Sequence, residues 1–182
     1  MLNKSVARRY AEAFFSIARE ANKVDEFELE LDNALATIEE TDNFKEYLAH
    51  LLIPAKEKKE VMSKIFAGGI SQVTLNFLLM IIDKRREAYI GVIVEEYKAL
   101  ADEARNIMKA HLISAQEVSA DDMKILAEKL STSTGKTVQL QQTVDPSLIG
   151  GIKIRMQDQI IDATVAKRLE MLKEQLKKVK IS

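Results

Sequence analysis

The spacing of apolar residues predicts helix over nearly all of the first 105 residues. Apolar positions recur every three or four residues, which is the pattern of amphipathic helices. Turn-forming or helix-capping residues interrupt this pattern at Asp25, Asp42, Pro54 and the pair Gly68-Gly69. Pro54 suits the first turn of a helix, and the following residues 56–59 are expected on a solvated face. The predicted helices cover residues 4–21, 24–40, 43–51, 55–66, 71–84 and 87–105.

The pattern changes after residue 106 and predicts a small α/β domain. Residues 107–114 form a strand-like run, and residues 119–122 (Ser-Ala-Asp-Asp) are typical of a helix start. That helix is predicted for residues 120–133, with Gly135 as its C-cap. Further strands are predicted near 137–144, 151–156 and 159–162, before a final helix. The predicted fold class is mainly α, with a six-helix bundle over residues 1–105 and an α/β domain with a short mixed sheet and hairpin over 106–182.

A turn precedes the last two predicted strands. Asp145 and Pro146 favour a turn because Asp can bond its own backbone and Pro presets φ at the second turn position. The pair Gly150 and Gly151 allows the backbone to turn sharply or to approach a neighbour closely. Asp162 is predicted to cap the final helix, which we expect to begin at residue 163 or 164.

Two predicted helices have more apolar surface than one core requires. Apolar residues fill an arc of about 200° on the first helix, whereas a helix on the surface of a single core needs about 100°. The fifth helix is apolar on every side between Phe77 and Ile82. Either both helices are central and covered by their own domain, or they leave a groove for a partner helix. In the second case, Ala7, Ala11 and Ala18 would permit a close backbone approach there.

The final helix combines an apolar seam with basic faces. Its apolar residues follow a coiled-coil spacing of 4, 3, 4 and 3: Val165, Leu169, Leu172, Leu176 and Val179. Its other faces have six basic residues: Lys167, Arg168, Lys173, Lys177, Lys178 and Lys180. The seam can pack on the strands, dock another helix or contact anionic lipid.

Composition and motifs exclude several classes of function. The chain of 182 residues is 47% hydrophobic and 30% charged, which is typical of a folded globular protein. A net charge of −1 argues against nucleic acid as the main partner, and the lack of cysteine excludes disulfides and thiolate metal sites. The longest apolar run, residues 77–82, is far below the roughly 18 residues of a membrane helix. Any association with a membrane is therefore expected to be through partners or through a surface.

No catalytic constellation is found. His50 and His111 lie far apart without acidic residues at metal-ligand spacing. The two glycine pairs match no phosphate-binding motif, and the serines lack a nucleophile-elbow context. We therefore expect no active site, cofactor, metal or small-molecule substrate.

Three segments resemble one known family. Residues 144–155 (VDPSLIGGIKIR), with the hairpin and basic helix that follow, resemble the delta subunit of bacterial F-type ATP synthases, the relative of the mitochondrial oligomycin-sensitivity-conferring protein. Residues 7–14 (ARRYAEAF) and 76–86 (NFLLMIIDKRR) resemble the first and fifth helices of this family. The resemblance extends over essentially the whole chain. It differs at the hairpin tip, where Gln157 replaces a small residue, and residues 39–64 match only in helical character.

The resemblance implies a non-catalytic stator subunit of the proton-translocating synthase, which couples rotation to ATP synthesis. The bundle would bind the N-terminal helices of the alpha subunits, and the C-terminal domain would bind the b-subunit stalk. The complex would lie peripherally on the cytoplasmic face of the inner cell membrane. The implied groove residues are Tyr10, Phe14, Ile17, Phe77, Leu78 and Ile82. The implied stalk contacts are Leu172, Lys173, Leu176 and Lys177, and the structural turn comprises Asp145, Pro146, Gly150 and Gly151.

Two rival functions remain at this stage. A generic helical adaptor or regulator with an α/β docking domain has the same composition and pattern. A small-molecule enzyme has less support, because no set of acid, base or metal-binding residues converges.

Overall fold

The computed structural model describes residues 4–41, 43–156 and 159–179, with residues 177–179 described by their backbone alone. Asp42 and Gln157, which the sequence analysis singled out as an interruption and as the hairpin tip, lie outside the described residues. The chain divides into two compact units, with the boundary between Ala104 and Arg105. The first unit is helical, and the second combines a sheet with two helices.

Six α-helices build the first unit, as the apolar spacing predicted. They are α1 (Lys4–Glu20), α2 (Val24–Glu40), α3 (Phe44–Ala49), α4 (Ala55–Ile65), α5 (Gln72–Asp83) and α6 (Ile90–Ala104). A short 3₁₀ turn, Glu87–Tyr89, leads directly into α6, so the helix predicted from residue 87 begins with a 3₁₀ turn. The third helix is also shorter than predicted, because His50 is extended and Leu51 and Leu52 face solvent.

Stacked aromatic rings join four of these helices. The ring of Phe14 in α1 stacks on Phe77 of α5, with centroids 4.2 Å apart, and on Phe27 of α2 at 5.3 Å. Tyr97 of α6 is tilted against Phe14 at 5.6 Å, and its hydroxyl donates to the carbonyl of Val24. All four rings are buried. Phe14 therefore lies at the centre of the core of the bundle.

A carboxylate from α2 completes the start of α5. The Oγ atom of Ser71 accepts a hydrogen bond from the backbone N–H of Thr74, which is an ordinary N-cap. Glu30 in turn accepts from the backbone N–H of Ser71 at 2.9 Å and from its hydroxyl at 2.7 Å. The hydroxyl of Thr74 donates to the same carboxylate. These contacts fasten α2 to the start of α5.

A buried ion pair connects α4 with the 3₁₀ turn. Lys58 is only 3% exposed, so the expectation that residues 56–59 all lie on a solvated face was wrong for Lys58. Its ammonium group donates to the carbonyl of Leu48 and to Oε1 of Glu87. Burial is possible because both partners come from neighbouring segments and satisfy the charge.

The second unit is a mixed four-stranded sheet with helices α7 and α8. Its elements are β1 (Ile107–Ser114), α7 (Ala120–Thr134), β2 (Thr137–Val144), β3 (Ile152–Met156), β4 (Gln159–Asp162) and α8 (Val165–Val179). The strand order is β2-β1-β3-β4. β1 pairs parallel to β2 and antiparallel to β3, and β3 and β4 form an antiparallel hairpin. The predicted mixed sheet with a hairpin is confirmed.

Helix α7 has the ends that its sequence predicted. The Oγ atom of Ser119 accepts from the N–H of Asp122, and Gly135 closes the helix with a left-handed φ of 69°. The apolar face of α7 packs on one face of the sheet, where Leu112 and Ile154 are buried. Residues on the opposite face of β1, such as His111, are exposed.

Candidate partner-binding surfaces

The six predicted groove residues divide between core and surface. Four of them, Phe14, Phe77, Leu78 and Ile82, are buried in the core of the bundle. Tyr10 is half-buried and packs against that core. Ile17 is the member of the six with a largely exposed side chain, at 48%.

Exposed apolar residues of α1 and α5 flank the stacked pair of Phe14 and Phe77. Ile17 lies one helical turn beyond Phe14 on α1. On α5, Val73 lies four residues before Phe77 and Met80 three residues after it, with exposed fractions of 41% and 36%. Residues three or four apart share a helix face, and the stack of Phe14 on Phe77 joins α1 to α5 at this point. We call the exposed apolar residues Ile17, Val73 and Met80 that flank this stack the α1/α5 surface.

The sequence analysis missed Val73 and Met80. Their spacing of four and three residues around Phe77 was the available signal, but the uniform apolar content of α5 concealed it.

The small residues of α1 also have a different place from the one expected. Ala7, Ala11 and Ala18 are fully buried, and α1 makes its most extensive contact with α6. The close approach that these alanines permit therefore takes place inside the bundle.

Helix α8 presents its seam to solvent. Leu169, Leu172 and Leu176 are exposed by 56%, 52% and 62%, and Val165 by 37%. The interpretation that this seam packs on the strands was therefore wrong. Lys173 is also exposed, whereas the side chains of Lys177 and Val179 lie outside the described residues. The described part of α8 is an amphipathic helix with an uncovered apolar stripe.

The turn before β3 has the geometry that its residues favour. Oδ1 of Asp145 accepts from the backbone N–H of Ser147 at 3.0 Å and from its hydroxyl at 2.6 Å. These hydrogen bonds lower the pKa of Asp145, because they favour the charged carboxylate. The N–H of Leu148 closes the turn on the carbonyl of Asp145, with Pro146 at the second position. The N–H of Asp145 donates to Ser114, which ties the turn to the end of β1.

Thr164, and not Asp162, caps α8. The Oγ1 atom of Thr164 accepts from the backbone N–H of Lys167 at 3.2 Å, so the prediction of Asp162 as the cap was wrong. Asp162 holds the capping residue in place, because its Oδ1 accepts from the N–H of Thr164 at 3.0 Å and from the hydroxyl of Thr164 at 2.7 Å. The two hydrogen bonds from Thr164, helped by Lys153 and Lys167, lower the pKa of Asp162. Helix α8 therefore starts on a fixed pair of polar side chains.

The described part of the chain was also searched for metal sites and membrane-spanning helices. Among its residues, no three His, Cys, Asp or Glu side chains come together as a metal site. Within the same part of the chain, none of the helices has the length and apolar content needed to cross a bilayer.

Comparison with known proteins shows the family. The family model of the ATP synthase delta (OSCP) subunit matches residues 6–176. ATP synthase subunit delta of Syntrophomonas wolfei is 69% identical over the full length of both chains, and that of Desulforudis audaxviator is 38% identical, also over the full length. A chain in the cryo-EM structure of the Toxoplasma gondii mitochondrial ATP synthase hexamer is 17% identical and superposes with a TM-score of 0.71, over 93% of this chain and 96% of that one. This last match shows a common fold.

The matches confirm the family resemblance of the three segments and the expectation of a chain without catalytic function. They also exclude the generic adaptor and the small-molecule enzyme, since relatives covering the full length are synthase subunits. The chain belongs to the ATP synthase delta (OSCP) subunit family and is a structural, non-catalytic component of the stator of F-type ATP synthase.

Proposed function

We propose that this subunit links the catalytic head to the peripheral stalk through two separate surfaces, one on each unit. The α1/α5 surface binds the N-terminal helices of the alpha subunits, and α8 binds the C-terminal part of the b subunit. Both contacts are made on the cytoplasmic face of the membrane. The observation that supports this proposal is that each unit exposes an apolar helix surface whose residues continue a regular helical spacing.

The α1/α5 surface suits an amphipathic helix. A partner that lies along two adjacent helices with its apolar residues inward uses a common mode of helix recognition. Fully burying a large aliphatic side chain is worth roughly 1.5–3 kcal/mol. Ile17, Val73 and Met80 are each a little under half exposed, so a partner that covers them gains about half of this free energy from each. Together they supply about 2–4 kcal/mol, against the roughly 8 kcal/mol of a micromolar complex. These three residues alone therefore do not account for such an affinity, and we expect the half-buried Tyr10 of α1 to contribute further contact.

Helix α8 suits a second helix. Its exposed seam repeats at the spacing of a two-stranded coiled coil, and exposed Lys173 flanks it. A partner helix with a matching apolar seam and acidic flanking residues would cover the leucines and pair with the basic side chains. Lipid headgroups would satisfy the charges, but membership of the stator family favours a protein partner.

In this function, the subunit contributes affinity and stiffness. The stalk holds the head against the torque of the rotor, and the subunit transmits that load through two non-covalent contacts. No bond-making step is required of it. Loss of either contact would allow the head to turn with the rotor, so ATP synthesis would be uncoupled.

The test uses full-length single-site variants with matched controls. Ile17→Asp should abolish binding of a peptide that copies the alpha-subunit N-terminus, while a soluble C-terminal segment of the b subunit still binds. Leu172→Asp should give the opposite result. Both effects follow because a carboxylate in an apolar contact loses its hydration without a compensating partner. Isothermal titration calorimetry measures both affinities.

The controls place the same charge on exposed apolar positions elsewhere. Leu29→Asp on α2 is the control for Ile17, and Ile125→Asp on α7 is the control for Leu172, since both residues are at least half exposed. Each control should bind both partners normally. Normal peptide binding by Ile17→Asp, or normal b-subunit binding by Leu172→Asp, would refute the corresponding half of the proposal.

A further inference from the structure

We infer that Gly150 and Gly151 fix the direction in which α8 leaves the sheet, so that its seam is oriented before any partner binds. The inference rests on the proposed stalk contact of α8 and adds a positioning role for residues that do not touch the stalk. We call the contact between residues 150–152 and 163–165 the helix joint. Its backbone is packed more closely than any side chain would allow.

Gly151 is the centre of the helix joint. Its φ of 85° lies in the left-handed region that favours glycine. A Cβ atom at this position would lie 2.5 Å from the carbonyl oxygen of Ala163 and 2.9 Å from Cα of Thr164. Both of those atoms belong to backbone, so the contact cannot be relieved by a side-chain rotation. The backbone leading into α8 therefore lies directly against Gly151.

Two hydrogen bonds bracket this contact. The N–H of Val165, the first residue of α8, donates to the carbonyl of Gly150 at 3.0 Å. The N–H of Ala163 donates to the carbonyl of Ile152 at 2.9 Å. The two bonds hold the chain on either side of Thr164, so the segment is fastened at two points rather than hinged at one.

The first turn of α8 continues this fixed segment. Thr164 is 5% exposed, and its carbonyl accepts the helical hydrogen bond of Arg168. Its hydroxyl both caps the helix at Lys167 and donates to Asp162 at the end of β4. Beyond this turn, α8 is exposed, so the helix joint sets its direction. A helix presented in one direction loses less conformational entropy on binding than one that samples many.

The experiment compares Gly151→Ala with Gly135→Ala in the full-length chain. Gly135 also has a left-handed φ, 69°, but a Cβ atom there would meet nothing within 4 Å. Both variants therefore have the same kind of backbone strain, and only the first makes the steric contact at the helix joint. Because the chain has no cysteine, Gln139→Cys on β2 and Glu174→Cys on α8 can be spin-labelled in every version. Double electron–electron resonance then measures the distance distribution between sheet and helix.

We expect a narrow distance distribution for the parent chain and Gly135→Ala, and a broadened or shifted one for Gly151→Ala. Binding of the b-subunit segment by unlabelled Gly151→Ala should weaken by about tenfold, because orientation is lost while the seam stays intact. Circular dichroism checks that each variant folds. If Gly151→Ala does not fold, Thr164→Val, which removes the hydroxyl bonds at nearly constant shape, should broaden the distribution instead.

Two results would overturn the inference. The first is an unchanged distance distribution in folded Gly151→Ala or, where that variant does not fold, in Thr164→Val. The second is a broadened distribution with undiminished b-subunit binding, which would show that orientation does not contribute to affinity. Failure of the proposed stalk contact is recognised separately, because Leu172→Asp would then bind the b-subunit segment normally while the distance measurement still reports on the helix joint.

Discussion

The buried pair of Lys58 and Glu87 gives the sharpest prediction about the stability of the bundle. Their side chains are 4% and 10% exposed, so solvent screens the pair only weakly. Replacing Lys58 by Met leaves the carboxylate of Glu87 buried without its counter-ion and the carbonyl of Leu48 without its donor. Breaking a buried pair in this way costs about 3–5 kcal/mol. This is a large fraction of the roughly 5–15 kcal/mol by which a domain is stable.

The double variant Lys58→Met with Glu87→Leu should recover most of this loss. Within the described residues, Oε2 of Glu87 has no hydrogen-bond partner, so the native pair does not fully repay the cost of removing its charges from water. Two apolar side chains of similar volume remove both charges at once. We therefore expect the double variant to lie within about 1–2 kcal/mol of the parent chain.

Tyrosine fluorescence during urea unfolding measures this cycle in the full-length chain. All four tyrosines lie in the first unit, at Tyr10, Tyr47, Tyr89 and Tyr97, so the signal follows the bundle alone. With a urea dependence of about 2 kcal/mol per molar, the midpoint of Lys58→Met should fall by roughly 2 M. A loss below about 1 kcal/mol in both single variants would contradict a buried, coupled pair. A double variant as unstable as the worse single variant would also refute the reasoning.

Two further predictions concern the core and the second unit. Phe14→Ala should destabilise the bundle by about 3–5 kcal/mol in the same tyrosine assay, because it removes a fully buried ring together with its stacking contacts. A loss below about 1 kcal/mol would contradict the central place of Phe14. Asp145 and Asp162 have lowered pKa values, so their ionised carboxylates should stabilise the second unit at pH values above the ordinary aspartate pKa of about 3.9. This contribution should be lost as pH falls through the lower pKa values of the native state. Urea unfolding followed by NMR signals of β3 and β4 should therefore show a cost of Asp162→Asn at pH 7 that shrinks as pH falls below about 3.9. A cost that does not change over this range would refute this.

Most of the fold was predictable because its signals are local. Ser119 and Gly135 mark the ends of α7 through hydrogen bonds within a few residues, and the strand-like runs of the sequence placed β1 to β4 within one residue. The cap of α8 was assigned to the wrong residue because Asp162 and Thr164 are both capable cap residues two positions apart. The choice between them depends on the residue at which the helix begins, which the sequence pattern placed one or two residues before the observed start at Val165.

The sites were less predictable because exposure depends on neighbours that are distant in sequence. Apolar residues do extend beyond one narrow face of α1 and α5, but other helices of the bundle cover most of them, chiefly α6 over α1 and α4 over α5. Phe14 and Leu78 are consequently core residues, and a charge at either position would test folding rather than binding. Lys58 was taken as solvated for the same reason, since its partner Glu87 lies 29 residues away.

The division into two units predicts how a substitution in one unit affects the contact made by the other. The α1/α5 surface and α8 share no residues, and each lies on a unit with its own core. Energetic effects of substitutions in such separate regions are normally additive. A core variant of the bundle should therefore weaken the proposed head contact and leave the proposed stalk contact intact, whereas a variant of the helix joint should do the reverse. Because the two proposed contacts lie in series between head and stalk, neither can replace the other. The weaker of the two would therefore set the load that the subunit can transmit.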